Sequence, residues 1–147
     1  MPRRLVFNAR DVVGFTAPGA EGVFVSRLLI DRESVGSNTL TINHFTLKPG
    51  KRTGEGGSHP DPYDEFYYVL SGHGIVRLGN PPEAFALEPD TAVFIPSGTM
   101  HSVENTGTED LELLTGMPHQ PVVGANRTYD ARRKAWGTSF KLVDQAR

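Results

Sequence analysis

Two stretches of this chain concentrate the imidazole and carboxylate groups that serve acid–base and metal chemistry. The first runs Gly56-Gly57-Ser58-His59-Pro60-Asp61-Pro62-Tyr63-Asp64-Glu65-Phe66-Tyr67, and the second runs Ile95-Pro96-Ser97-Gly98-Thr99-Met100-His101-Ser102-Val103-Glu104-Asn105. A residue before proline is pushed out of the helical region, so His59 and Asp61 are each held extended. Alternate side chains of an extended chain share a face, which points His59 and Asp61 the same way. Glu65 and Tyr67 keep that parity if the chain stays extended through Tyr63, whereas Asp64 faces away. Neither proline can donate to a ladder, which places the stretch at a strand edge or mouth. His101 follows a tight Pro-Ser-Gly turn at the start of a strand, a position from which it can look into a barrel.

The elements around these stretches read as strands. Gly 16 and Pro 11 are spread as punctuation along the 147 residues, at intervals that leave room only for short elements. Val23 to Ile30, Thr39 to Leu47, Glu65 to Leu70, Gly74 to Leu78, Ala84 to Leu87, Thr91 to Ile95, His101 to Glu104 and Leu111 to Thr115 are rich in β-branched, aromatic and aliphatic residues. Gly72-His73-Gly74 is short enough for a hairpin, and Gly79 to Pro82 for a second reversal. One helix is expected at 130–136, capped by Asp130, ended by Gly137 and anchored by Trp136. The reading is an all-β single domain: an arm and first strands over 1–38, a core over 39–116, and an extension over 117–147.

Composition narrows the function. Lys+Arg 15 against Asp+Glu 17 gives a net charge of −2, with no basic face for nucleic acid. Cys is 0, which removes disulfides, thiolate metal sites and cysteine nucleophiles. The longest apolar run, Phe66 to Leu70, is far too short to span a bilayer. Met1 to Asn8 lacks the apolar core of a secretory signal, so the expected location is the cytoplasm.

The two stretches together resemble the paired motifs of the cupin superfamily. His59, Glu65 and Gly72 fit the first motif's spacing, and Pro96, Gly98, His101 and Asn105 fit the second. The resemblance departs at three positions. Asp61 stands where the family has a second histidine, Asp90 stands at the second motif's leading glycine, and Thr53 stands at the first motif's, with Gly54 following. The resemblance implies a cupin-type jelly-roll β-barrel of two antiparallel sheets around a pocket. It also implies one divalent metal ion per chain, held by His59, Asp61, Glu65 and His101.

With Asp61 as a ligand the set is two nitrogens and two oxygens, and its two negative charges neutralise a divalent cation. Such ligation suits manganese or iron(II), with zinc and nickel also open. With Asp61 turned to solvent, His59, Glu65 and His101 form a two-histidine, one-carboxylate triad of the kind used in iron(II) oxygen chemistry. A third reading is a cupin whose site no longer binds metal. Tyr67 is a candidate catalytic hydroxyl, or else a barrel-wall aromatic. Arg52 and His44 are candidate substrate-binding residues, with a surface or structural role as the alternative for each. His73 in its glycine turn reads as solvent-facing, and His119 as a loop residue.

The resemblance allows several functions, because fold alone does not select one. The reading taken forward is redox-neutral Lewis-acid chemistry (isomerase, cyclase, decarboxylase or lyase) on a small oxygenated metabolite. An iron(II) dioxygenase and a non-catalytic small-ligand binder are the alternatives. Expected partners are a small molecule and, by resemblance, a second copy in a homodimer, with no nucleic acid and no membrane.

Overall fold

The computed structural model describes residues 5–16, 19–32, 34–53, 61–118 and, as backbone, 141–143. His59, His119 and the helix expected at 130–136 lie outside the described residues. A short 3-10 turn, Ala9–Asp11, is capped by the Asn8 side chain, which accepts from the Arg10 N–H at 2.9 Å. Among the described residues ten strands follow: β1 Gly14–Thr16, β2 Phe24–Ile30, β3 Leu40–Leu47, β4 Glu65–Ser71, β5 Gly74–Leu78, β6 Glu83–Leu87, β7 Ala92–Ile95, β8 His101–Asn105, β9 Leu111–Pro118 and β10 Lys141–Val143.

The strands form two sheets whose pairs are all antiparallel. The larger has seven strands in the order β10-β1-β2-β3-β9-β4-β7, and the smaller has three in the order β6-β5-β8. Their facing surfaces enclose a core of Leu47, Val69, Val76, Leu87, Val93, Ile95, Val103, Leu111 and Leu113. Each such aliphatic side chain contributes about 1.5–3 kcal/mol by leaving water. This is the jelly-roll arrangement expected from the sequence, and the eight strands read there match β2 to β9.

Register decides which residues look inward. The β3–β9 ladder runs from Leu40 opposite Pro118 to Leu47 opposite Leu111. Phe45 and Leu47 belong to the core, so the odd-numbered residues of β3 face the interior. Through β4 and the four residues before it the alternation is equally regular: Asp61, Tyr63, Glu65 and Val69 are buried, whereas Pro62, Asp64, Phe66, Tyr68 and Leu70 are exposed.

The Gly79 to Pro82 reversal is the hairpin joining β5 and β6. The Gly72-His73-Gly74 link is not a hairpin. It carries the chain from the larger sheet to the smaller, since β4 pairs with β7 and β9 while β5 pairs with β6 and β8. The crossing is tight enough to require glycine. Gly72 has φ 88°, and a Cβ there would sit 2.5 Å from the Asp110 carbonyl oxygen. A Cβ on Gly74 would collide with the Glu104 carbonyl. Asp90, at the position where the family motif has glycine, has φ 70°. Aspartate tolerates this left-handed conformation better than most residues, and its Oδ1 accepts from the Tyr68 hydroxyl at 2.8 Å.

Candidate metal centre

Two chain segments far apart in sequence are fastened together at one end of the barrel. Gly98 donates its N–H to the Asp61 carbonyl at 2.7 Å, and Ser97 donates its N–H to Asp64 Oδ1 at 2.9 Å. The outward-facing carboxylate of Asp64 thus pins the Pro-Ser-Gly turn, and the inward parity of the same segment delivers Asp61 and Glu65. Asp61 is 4 %, Glu65 5 % and His101 1 % exposed.

His101 reaches the same spot from the smaller sheet. Its Nδ1–H donates to the Thr99 carbonyl at 2.8 Å, which fixes the ring and leaves Nε2 as the inward nitrogen. Nε2 lies 3.1 Å from Glu65 Oε2 and 3.8 Å from Asp61 Oδ2. One donor atom from each of the three residues lies within 4.8 Å of the others. Burial opposes a charge on His101. The hydrogen bonds to Glu65 and Thr99 and the charges of Glu65 and Asp61 outweigh it, so the pKa is raised above 6.5.

These residues fit a divalent cation. Two donors that each sit about 2.1 Å from a shared ion can be roughly 4 Å apart, and both distances from His101 Nε2 fall inside that span. Two carboxylates taken out of water also need a positive partner, because a buried charge is costly unless compensated.

The structure brings Asp61, Glu65 and His101 together and sets Tyr67 beside them. Tyr67 packs edge-on to His101, with ring centroids 6.1 Å apart at 69°. His44 and Arg52 are not brought to this group. His44 has the parity opposite to Phe45, so it lies on the outer face of the larger sheet. There its Nδ1 accepts from Arg27 Nη1 at 3.1 Å and its Nε2 lies 3.9 Å from Glu112 Oε1. Arg52 is exposed, and its backbone bridges to Glu104 of β8.

Two buried residues near these segments have roles that the motif spacing does not spell out. Tyr63, 7 % exposed, shares the inward parity of Asp61 and Glu65, so the same alternation would have found it. Asn105, fully buried, donates to the carbonyls of Leu47 and Glu109, both at 2.8 Å, and accepts from the Gly107 N–H at 2.9 Å. Its place in the spacing was plain, but its partners were not.

The sequence profile of the family described as "Cupin domain" matches residues 43–117. The chain belongs to the cupin family. This cupin is 31% identical over 100 residues to the tetracenomycin polyketide synthase protein TcmJ of Streptomyces glaucescens, a match covering 67% of this chain and 64% of that protein. It is 29% identical over 96 residues to an oxalate-binding protein of Thermotoga maritima, covering 65% of this chain and 76% of that one. The structure of the polyketide cyclase RemF from Streptomyces resistomycificus superposes with a TM-score of 0.67 at 22% identity, over 91% of this chain and 94% of that one. At that identity the superposition speaks for the fold.

Proposed function

We propose that this cupin is a metal-dependent enzyme acting on a small oxygenated metabolite by redox-neutral chemistry, with one divalent ion held by Asp61, Glu65 and His101 and, by motif position, His59. The observation that carries the reading is the orientation of His101. Its Nδ1–H is committed to Thr99, and Nε2 faces two buried carboxylates. A bound divalent ion supplies Lewis acidity, stabilising negative charge on a carbonyl or alkoxide oxygen of the substrate.

The chain's own residues supply the rest. Asp61, Glu65 and His101 are buried, so their charges act on the reacting end with little solvent screening. The Thr99 carbonyl holds the imidazole plane. Tyr67 is the candidate for giving or taking a proton at a substrate oxygen, a role supported by the edge-on packing of its ring against His101. Cyclisation is favoured within the redox-neutral set by likeness to a protein named as part of a polyketide synthase. Manganese or iron(II) suits the oxygen-rich set best. A homodimer is part of the same reading.

Elemental analysis of protein purified without added metal tests this, with His101→Ala alongside. About one divalent ion per chain in the parent and a loss of most of it in the variant is the expected result. A metal-poor parent, or equal metal in both proteins, removes the reading. The likeness to an oxalate-binding protein supports a second reading, a binder without turnover. That reading takes over if the loaded protein binds small acids but converts no carbonyl substrate.

A further inference from the structure

The interior face of the larger sheet changes character from one rung to the next. Deep in the barrel, Phe45, Leu113 and Val69 lie abreast across β3, β9 and β4, an apolar rung. One step toward the Asp61–Glu65–His101 group, the same three strands present Asn43, Thr115 and Tyr67. Asn43 and Thr115 are each 7 % exposed. A polar rung therefore runs sideways from the candidate metal centre, starting at the tyrosine that touches His101.

The hydrogen bonds of this rung are lopsided. Asn43 Nδ2 donates to Ser26 Oγ on β2 at 3.1 Å, which fixes the amide plane. Thr115 Oγ1 donates to the Asn43 backbone carbonyl at 3.4 Å. Asn43 Oδ1 is buried with no hydrogen-bond partner among the described residues. An amide oxygen left so costs about 1–3 kcal/mol, and a hydrocarbon side chain of similar volume would avoid that cost. Asparagine at an inward position of a barrel wall is otherwise an expense to the fold, and such expense concentrates where a ligand is recognised.

We propose that Asn43 Oδ1 is a specificity-determining acceptor. It takes a hydrogen bond from a hydroxyl or N–H at the end of the ligand remote from the metal-binding group. This deepens the proposed function and rests on it, since it takes Asp61, Glu65 and His101 as the anchor for the ligand's other end. One strand separates β3 from β4, so Asn43 lies about 10 Å from the strand carrying Glu65. The ligand class that follows is a small molecule with a metal-binding carboxylate or carbonyl at one end and a hydrogen-bond donor at the other. A carboxylate or ether at the far end would meet Asn43 Oδ1 with no proton between them.

Benzoate, 4-hydroxybenzoate and 4-methoxybenzoate are suitable probes, because a rigid ring holds the carboxylate and the para group at opposite ends. Titrated into manganese-loaded protein, 4-hydroxybenzoate should bind about fivefold tighter than the other two, the worth of one net hydrogen bond. Asn43→Leu should bind all three alike, retain its metal and keep a urea midpoint close to the parent's, because removing the orphaned oxygen offsets the lost bond to Ser26. Asn43→Ser, which withdraws the acceptor, serves if the leucine variant does not fold. The inference is overturned if the parent shows no hydroxyl preference or binds none of the probes. It is also overturned if the preference survives in the variant, or if the variant mainly loses stability. A parent that takes up no metal defeats the proposed function instead. The Asn43-dependent hydroxyl preference is then read on the metal-free protein by the same criteria.

Discussion

The carbonyl of Asp61 accepts the backbone N–H of Gly98 at 2.7 Å, which extends the join between the two segments of the metal centre beyond the Glu65–Ile95 end of the β4–β7 ladder. Asp64 reinforces the join from the solvent side by accepting from the Ser97 N–H at 2.9 Å. Asp64 is exposed and holds no ligand position, which makes it a clean probe of how the turn supports the site. Asp64→Ala should cost about 1 kcal/mol, the range of a lost side-chain cap. It should speed metal loss measured against a chelator, while metal stoichiometry at saturation stays that of the parent. An unchanged release rate would show that the turn holds without the cap.

Asn105 predicts a larger loss in a place with no chemistry. Three hydrogen bonds converge on its fully buried amide, tying the end of β3 to the loop between β8 and β9. Asn105→Ala leaves two carbonyls and one N–H without that amide in a closed space. The expected cost is about 3 kcal/mol or more, read as the shift in urea midpoint with m unchanged. A loss under about 1 kcal/mol would mean that water replaces the amide.

Much of this architecture could be read from spacing. The odd–even alternation from Asp61 to Leu70 placed Glu65 and Tyr67 inward and Asp64 outward before any coordinates. The Pro96–Gly98–His101–Asn105 interval placed the histidine at a strand start. What alternation cannot give is which face of a strand is inside when polar residues occupy both. Asn43, His44 and Thr46 make β3 such a strand. His44 is the residue of β3 whose type suggests substrate binding, whereas the packing of Phe45 and Leu47 commits the other parity to the core and brings Asn43 in. The Gly72-His73-Gly74 crossing was hidden for a related reason: a short glycine link looks the same whether its strands pair or part. Only the backbone of residues 104–111 pressed against it tells the two apart.

That crossing is itself testable. Gly72 combines φ 88° with a Cβ position 2.5 Å from the Asp110 oxygen and 2.8 Å from the Leu111 Cα. Gly72→Ala must move backbone on two strands, so a loss of at least about 2 kcal/mol is expected. A hairpin-type glycine without those contacts would lose about 1 kcal/mol. The size of the shift in thermal or urea unfolding separates the two.

His44 and His101, the histidines on β3 and β8, should mark the pH profile in separate windows. The folded pKa of His101 is raised above 6.5, so without metal its stabilisation is complete below that value and is lost as pH rises through the folded pKa. A metal ion on Nε2 reverses the dependence, since the proton and the ion compete for one lone pair. The melting temperature of metal-free protein should therefore fall above pH 6.5 from this cause, while the gain on adding manganese should grow. His44 acts below. Burial lowers its pKa most, Glu112 opposes that, and Arg27 and Arg10 reinforce it. A depressed histidine stays neutral in the fold while the unfolded chain takes up a proton, so stability is lost as pH falls from 6.5 toward the folded value. His44→Asn keeps an acceptor for Arg27 at the place of Nδ1 and removes the titration. Melting curves from pH 5 to 9 should show that the variant loses the acid-side decline and keeps the alkaline one. A variant whose acid limb matches the parent's would move the origin of that decline away from the outer face of the sheet.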